Sequence, residues 1–312
     1  DVSFVGLANF LSECLILMAS VFMFYRFKPS EVKVSFAMFD KRVLFSILGM
    51  SVWVLIQLCG DTLLYRTDNL IVNRYWGTVS SGALGAVSEI GNYVSVILSV
   101  IGSLFGPLIL TSFAKGEHNK VKSLFLEQST IVGCLSAILA GIISGCASSI
   151  LNVWLGNGMG QYSWWLVMKM IVLPFYAAGG ILAFVYRSWN KMRFPAIGTV
   201  ILGIIDVFFL ICICEWIRPA DAMPILVVGA AFSFFQCFVL NVVAVCRIYK
   251  DCQRKFVPIF LKISITFIMC LLGGALITSW LKIANLIELG GVLLAMASIM
   301  LIIVSFLILS KE

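Results

Sequence analysis

Apolar stretches long enough to cross a bilayer follow one another along this chain, each bounded by a polar cluster. A hydrocarbon core about 30 Å thick is crossed by roughly 20 to 23 apolar residues in a helix. Windows at 3–25, 44–66, 84–113, 124–151, 162–186, 194–216, 221–246, 256–280 and 286–309 reach that length, which predicts about nine transmembrane helices. Residues Leu289 to Leu309 are uncharged and apolar on every face. A membrane β-barrel needs segments of about ten residues that alternate apolar and polar, so the expected fold is all-α, a polytopic helical bundle. At 61% hydrophobic and 12% charged, against roughly 45–50% and 25% in soluble domains, the 312 residues leave little for an aqueous domain. A soluble catalytic domain and a nucleic-acid-binding domain are both excluded.

The net charge is +7, and where the charges fall matters more than their sum. Of the 22 Lys and Arg residues, 16 lie in alternate loops and the tail. They are Arg26, Lys28, Lys33, Lys41 and Arg42; Lys115, Lys120 and Lys122; Arg187, Lys191 and Arg193; Arg247, Lys250, Arg254 and Lys255; and Lys311. The opposite loops hold only Arg74, Arg218 and Lys282, while Arg66, Lys169 and Lys262 fall inside spans. Loops rich in Lys and Arg stay cytoplasmic, so Asp1 is expected outside and Glu312 inside. The positive charge then implies no nucleic-acid partner. The chain opens at Asp1 without Met, a basic n-region or a cleavage site. Its first span is therefore not expected to be a signal peptide, and the chain reads as one entered part-way.

Ionisable side chains inside the spans cost at least about 2.5 kcal/mol each at mid-bilayer, so each marks a cavity, a partner or a pathway. They are Glu13, Asp61, Arg66, Asp68, Glu89, Lys169, Asp206 and Lys262. Lys262, a turn or two from a cytoplasmic helix end, is expected to snorkel. In span two, a helical period puts Gln57, Asp61, Tyr65 and Asp68 on one face and Thr62, Arg66, Asn69 and Asn73 on another about 140° away. One face is expected to line a polar lumen and the other to pack against neighbours or reach the outer surface. The alternative for Arg66 and Asp68 is a solvated outer helix end. Span three carries a stripe of Ser88, Asn92, Ser95, Ser99, Gly102 and Gly106, which either lines a wet cavity or lets two helices approach closely. Span five places Tyr162, Lys169 and Tyr176 on one face with Pro174, Gly179 and Gly180 beyond. This Lys either meets an anionic head group or snorkels, and the Pro with its glycines permits a bend.

Nothing in the remaining chemistry points to catalysis. The single histidine, His118, is expected to be solvated in a cytoplasmic loop, so neither a histidine metal site nor a serine–histidine pair can be assembled. No glycine-rich loop with a Lys is present for a nucleotide. The ten cysteines have no CxxC or metal spacing, and Cys14, Cys59, Cys134, Cys146 and Cys270 sit in apolar stretches as small hydrophobes. No enzyme activity, cofactor or metal is expected. A helical bundle with a few interior charges is the outline of a transporter.

Four segments resemble a known family. Thr67-Asp68-Asn69-Leu70-Ile71-Val72-Asn73-Arg74-Tyr75-Trp76-Gly77 is similar to the Asp, apolar run, Gly signature that closes the seventh helix of bacterial polysaccharide flippases. These form the Wzx-like branch of the multidrug/oligosaccharidyl-lipid/polysaccharide exporter superfamily. Gly106-Pro107-Leu108 followed by Lys115-Gly116-Glu117, then Ile150-Leu151-Asn152-Val153-Trp154-Leu155-Gly156, then Ser188-Trp189-Asn190-Lys191 with Pro195, agree in order and in/out topology. The resemblance covers roughly residues 40 to 250. It implies that 1–43 hold the last helix of a first bundle and a cytoplasmic linker, that 44–250 form a second bundle, and that 251–312 are an added C-terminal helix pair.

The implied activity is transfer of an undecaprenyl-diphosphate-linked oligosaccharide from the cytoplasmic to the outer leaflet of the bacterial inner membrane, by two bundles that open alternately to each side. The glycan would be O-antigen, capsule or exopolysaccharide. A sugar and its diphosphate cannot cross hydrocarbon, so they need a polar cavity with cations for phosphate. Under this resemblance Lys169 and Arg66 are the expected diphosphate contacts, and Asp61, Asp68, Asn92 and Glu89 meet sugars or balance those cations. The implied partners are the lipid-linked oligosaccharide, the bilayer, and a polysaccharide polymerase or glycosyltransferases. Two other readings stay open: an ion-coupled exporter of cationic drugs that uses Asp61 or Asp206, and a non-transporting scaffold that binds assembly enzymes through its basic loops.

Overall fold

The computed structural model describes residues 2–27, 39–281 and 285–304. The expected positions of Lys28, Lys33, Lys282, Lys311 and both chain ends lie outside the described residues. The chain divides into two units, Asp1–Gly49 and Met50–Glu312. The first holds α1 (Val2–Phe27), an apolar helix with Arg26 in its last turn, and the start of α2 (Lys41–Ser103).

The second unit is a bundle of helices, and among the described residues no strand is present. After α2 come α3 (Gly106–Ala114), α4 (His118–Gly145), α5 (Ala147–Leu155), α6 (Ser163–Ser188) and α7 (Arg193–Cys212). α8 (Met223–Phe234), α9 (Asn241–Cys246), α10 (Gln253–Trp280) and α11 (Leu286–Val304) complete it. Two stretches wind as π-helix, Ile213–Ile217 after α7 and Phe235–Leu240 between α8 and α9.

Seven helical runs among the described residues are long and apolar enough to cross a membrane, and Ser51–Ala114 among them is 64 residues long. At 1.5 Å per residue such a run would reach about 96 Å, three times the hydrocarbon thickness. It is broken at Gly77, whose φ of 80° and ψ of −179° lie in a region essentially reserved for glycine. The two limbs, 41–76 and 78–103, therefore serve as separate crossings. Ile287–Ile302 is a shorter apolar helix, and with it the described spans follow the order of the nine apolar windows. The chain is a multi-pass, all-α membrane protein.

In lipid, helices do not gain by burying apolar surface against each other, and close approach through small residues takes over. α4 and α10 run parallel with their glycines in contact. A Cβ at Gly141 would lie 2.6 Å from that of Cys270, and one at Gly145 would lie 2.5 Å from the Leu271 carbonyl oxygen and 2.7 Å from the Gly274 Cα. α4 also packs on α6, where the Ser129 hydroxyl donates to the Ala178 carbonyl at 3.3 Å. Phe175 of α6, Phe234 and Phe238 of the α8 limb and Phe260 of α10 join the other side in one ring cluster. α2 and α7 cross where a Cβ on Gly60 would meet the Thr199 and Val200 backbone at under 3 Å.

The basic connections gather at one end. Arg193 lies over the Trp53 ring at 5.3 Å, and Arg247 over Phe194 at 3.6 Å. His118 packs at 5.1 Å on Trp189, which meets Tyr249 edge-on at 6.3 Å. His118 is exposed, as expected, but it stands at the start of α4 instead of in the loop and rests on an aromatic platform. At the opposite end the Gly77 turn meets the π-helical end of α7, where the Tyr75 hydroxyl donates to Glu215.

Candidate functional site

The polar face of the first α2 limb turns inward. Tyr65 and Asp68, three residues apart, face α6 and α8. Asp68 is buried, and its Oδ2 accepts from the Lys169 ammonium at 2.7 Å. It presses on Gly229 of α8, where a Cβ would stand 3.1 Å from both carboxylate oxygens. No larger side chain fits there without displacing the acid. Its other oxygen, Oδ1, is buried without a hydrogen-bond partner.

Lys169 projects into a cavity of about 220 Å³ between the second α2 limb, α6 and α8. Ser88, Asn92 and Ser95 line it from α2, Tyr176 from α6, Ser233 from α8 and Tyr65 from the first limb. Tyr65 and Tyr176 meet edge to face at 6.1 Å. Asp206 of α7 is fully buried with both carboxylate oxygens unbonded, within electrostatic range of Asp68 and Lys169. Asp68 and Asp206 are buried, and Lys169, its side chain 23% exposed, opens on the cavity.

Behind the wall runs a second polar chain. Tyr65 donates to Gln236 Oε1 at 2.9 Å, and the Gln236 amide donates at 3.3 Å to both Asp61 Oδ1 and Thr199 Oγ1. Gln236 sits in the π-helical stretch, whose Cys237 carbonyl comes so near α6 that a Cβ on Gly179 would collide with it. That glycine serves close approach, and α6 continues as one helix through Pro174 to Ser188.

The expected residues divide. Asp68 and Lys169 form the central pair, Asn92 lines the cavity, and Asp61 reaches it through Gln236 and Tyr65. Glu89 is exposed and accepts from Asn92 at 3.3 Å at the cavity's rim. Arg66 is exposed and does not line the cavity, because the helical period carries it away from Tyr65 and Asp68, together with Thr62 and Asn73. Tyr162 packs on Trp165 at 4.6 Å and does not line the cavity. The span-three stripe, which runs from α2 into α3, does both things open to it: Ser88, Asn92 and Ser95 line the cavity, while a Cβ at Gly106 would meet the Phe184 ring at 2.7 Å. Gln236 was missed; a Gln between Ser233 and Asn241 in a mostly apolar span was its signal.

The chain is 24% identical over 200 residues to "Uncharacterized membrane protein EpsK" of Bacillus subtilis (strain 168), covering 61% of this chain. It spans 38% of that protein's length. No protein-family model and no solved structure matches the chain.

Proposed function

We propose that this chain belongs to a flippase that carries a lipid-diphosphate-linked oligosaccharide from the cytoplasmic to the outer leaflet of a bacterial inner membrane by alternating access, without catalysing a covalent change. The observation that carries this reading is Lys169: an ammonium group inside a membrane bundle, opening on a cavity lined in part by Met168, Val172, Leu173 and Leu226 and otherwise by hydroxyls, an amide and aromatic rings. Those are the groups that hold phosphate and sugar. In polysaccharide synthesis its neighbours would be a polymerase or glycosyltransferases.

The charge arithmetic sets a condition on binding. With Asp68 and Asp206 both ionised, the group including Lys169 sums to −1 and repels a diphosphate. Binding therefore requires that this negative charge be offset, so that Lys169 can leave Asp68 for the phosphate. Asp61, Glu89 and Asn92 then meet sugar hydroxyls or hold the wall. Arg66, on the outward face, takes no part in the first contact.

The test is complementation of glycan export. Lys169→Ala is expected to abolish export, Lys169→Arg to keep part of it through the same charge with different donor geometry, and Arg66→Ala to have the smaller effect. Normal export by Lys169→Ala at normal membrane abundance ends the assignment. A second reading, ion-coupled export of cationic compounds, is favoured by Asp206 and its unbonded oxygens. It is distinguished by a change in resistance to toxic cations, which a flippase leaves unaltered.

A further inference from the structure

Toward their N-terminal ends, before the contact of Gly133 with Ile263, α4 and α10 meet through the stacked rings of Phe125 and Phe256, 6.4 Å apart, and beside that contact a cleft of about 320 Å³ opens between them. Ser123, Glu127 and Thr130 line it from α4, and Lys255, Pro258 and Lys262 from α10. It shares no residue with the Lys169 cavity. Lys255 and Lys262 are seven residues apart, so they share a face about 10 Å apart along the axis.

The cleft's chemistry is specific. Ser123 and Thr130 give their hydroxyl hydrogens to the carbonyls of Lys120 and Leu126. Its charged donors are therefore the two ammonium groups. Its charged acceptor is the Glu127 carboxylate. Two lysines against one glutamate leave a net charge of +1 in the cleft. Beside it, α10 turns Val257, Leu261 and Ile265 outward, each about half exposed, and in a bilayer that stripe meets acyl chains.

We propose that this cleft holds the head group of an anionic phospholipid that also carries hydroxyls, the chemistry of phosphatidylglycerol. The phosphate lies on Lys255 and Lys262, and the glycerol hydroxyls donate to Glu127. The acyl chains run down the Val257, Leu261 and Ile265 stripe. Basic clefts between transmembrane helices at the cytoplasmic side are suited to such head groups. The site is independent of the flippase reading, since it concerns a resident lipid and lies apart from the cavity.

Native mass spectrometry of the full chain tests this, after release from micelles that contain phosphatidylglycerol, phosphatidylethanolamine and phosphatidylcholine in equal amounts. The wild type is expected to retain phosphatidylglycerol about tenfold or more over the other two, as expected for at least one charged hydrogen bond. The K255Q/K262Q double variant should lose that preference. A K115Q/K120Q control, which removes the same charge from the same end, should keep it. Unfolding midpoints in phosphatidylcholine show that the variants fold, and the wild-type lipid preference stands without them. Equal retention of phosphatidylethanolamine overturns the proposal. So does loss of preference in both double variants, or unchanged preference in K255Q/K262Q. Millimolar inorganic phosphate that displaces the lipid from the wild type would show a free-anion site instead.

Discussion

Removing the Lys169 ammonium is the most informative single change, because Asp68 has so little else. In Lys169→Ala the carboxylate loses its 2.7 Å partner. It stays pressed on Gly229, its second oxygen remains unbonded, and Asp206 is close by. Breaking a buried pair from one side costs about 3–5 kcal/mol. At about 2 °C per kcal/mol for a chain of this size, the unfolding midpoint should drop by about 6–10 °C. Asp68→Asn should cost less, because the ammonium left behind opens on the cavity and can be solvated there. The double variant Asp68→Asn/Lys169→Ala buries no unpaired charge at these positions and should recover more than half of the Lys169→Ala loss. Thermal unfolding of purified protein, with tryptophan fluorescence as the signal, gives the three midpoints and hence the coupling energy. If the double variant falls by the sum of the singles, the pair is not coupled. If Lys169→Ala alone is unchanged, Asp68 is not held by this lysine, and the charge argument for the cavity falls with it.

A cysteine placed at Asn119, in a background without the exposed Cys59, should be shielded from an impermeant thiol reagent in intact cells, while one at Asn157 should react; the reverse pattern overturns the orientation. Gly77→Ala should lower the unfolding midpoint by about 2–6 °C, from the roughly 1–3 kcal/mol that its backbone angles cost any other residue. No neighbour lies within 4 Å of the added methyl group, so an unchanged midpoint would show that the turn relaxes at no cost.

Much of this architecture was legible in the residues because a bilayer allows few solutions. Apolar length set the crossings, and the basic connections around Arg193, Arg247 and His118 do meet at one end. Span two was legible in detail: the period that grouped Asp61, Tyr65 and Asp68 apart from Arg66 is the one that divides interior from exterior. Partners were a different matter. Lys169 and Asp68 are 101 residues apart, and no local pattern says which of several interior charges will meet. The same holds for Gln236, whose role depends on Tyr65 and Asp61, 171 and 175 residues away. Arg66 was assigned to the diphosphate for its charge although the same period set it on the other face, and that position is exposed.

The glycine seam between α4 and α10 also bears on how the chain is made. Gly141 and Gly145 leave α4 with a notch that only α10 fills, and Cys270 and Gly274, which fill it, come about 130 residues later. At 5 to 20 residues per second, α4 stands in the membrane for roughly 6 to 26 seconds before its counterpart is synthesised. Through that interval the notch is open to lipid, to the insertion machinery or to another nascent chain, so this seam cannot close until α10 has emerged.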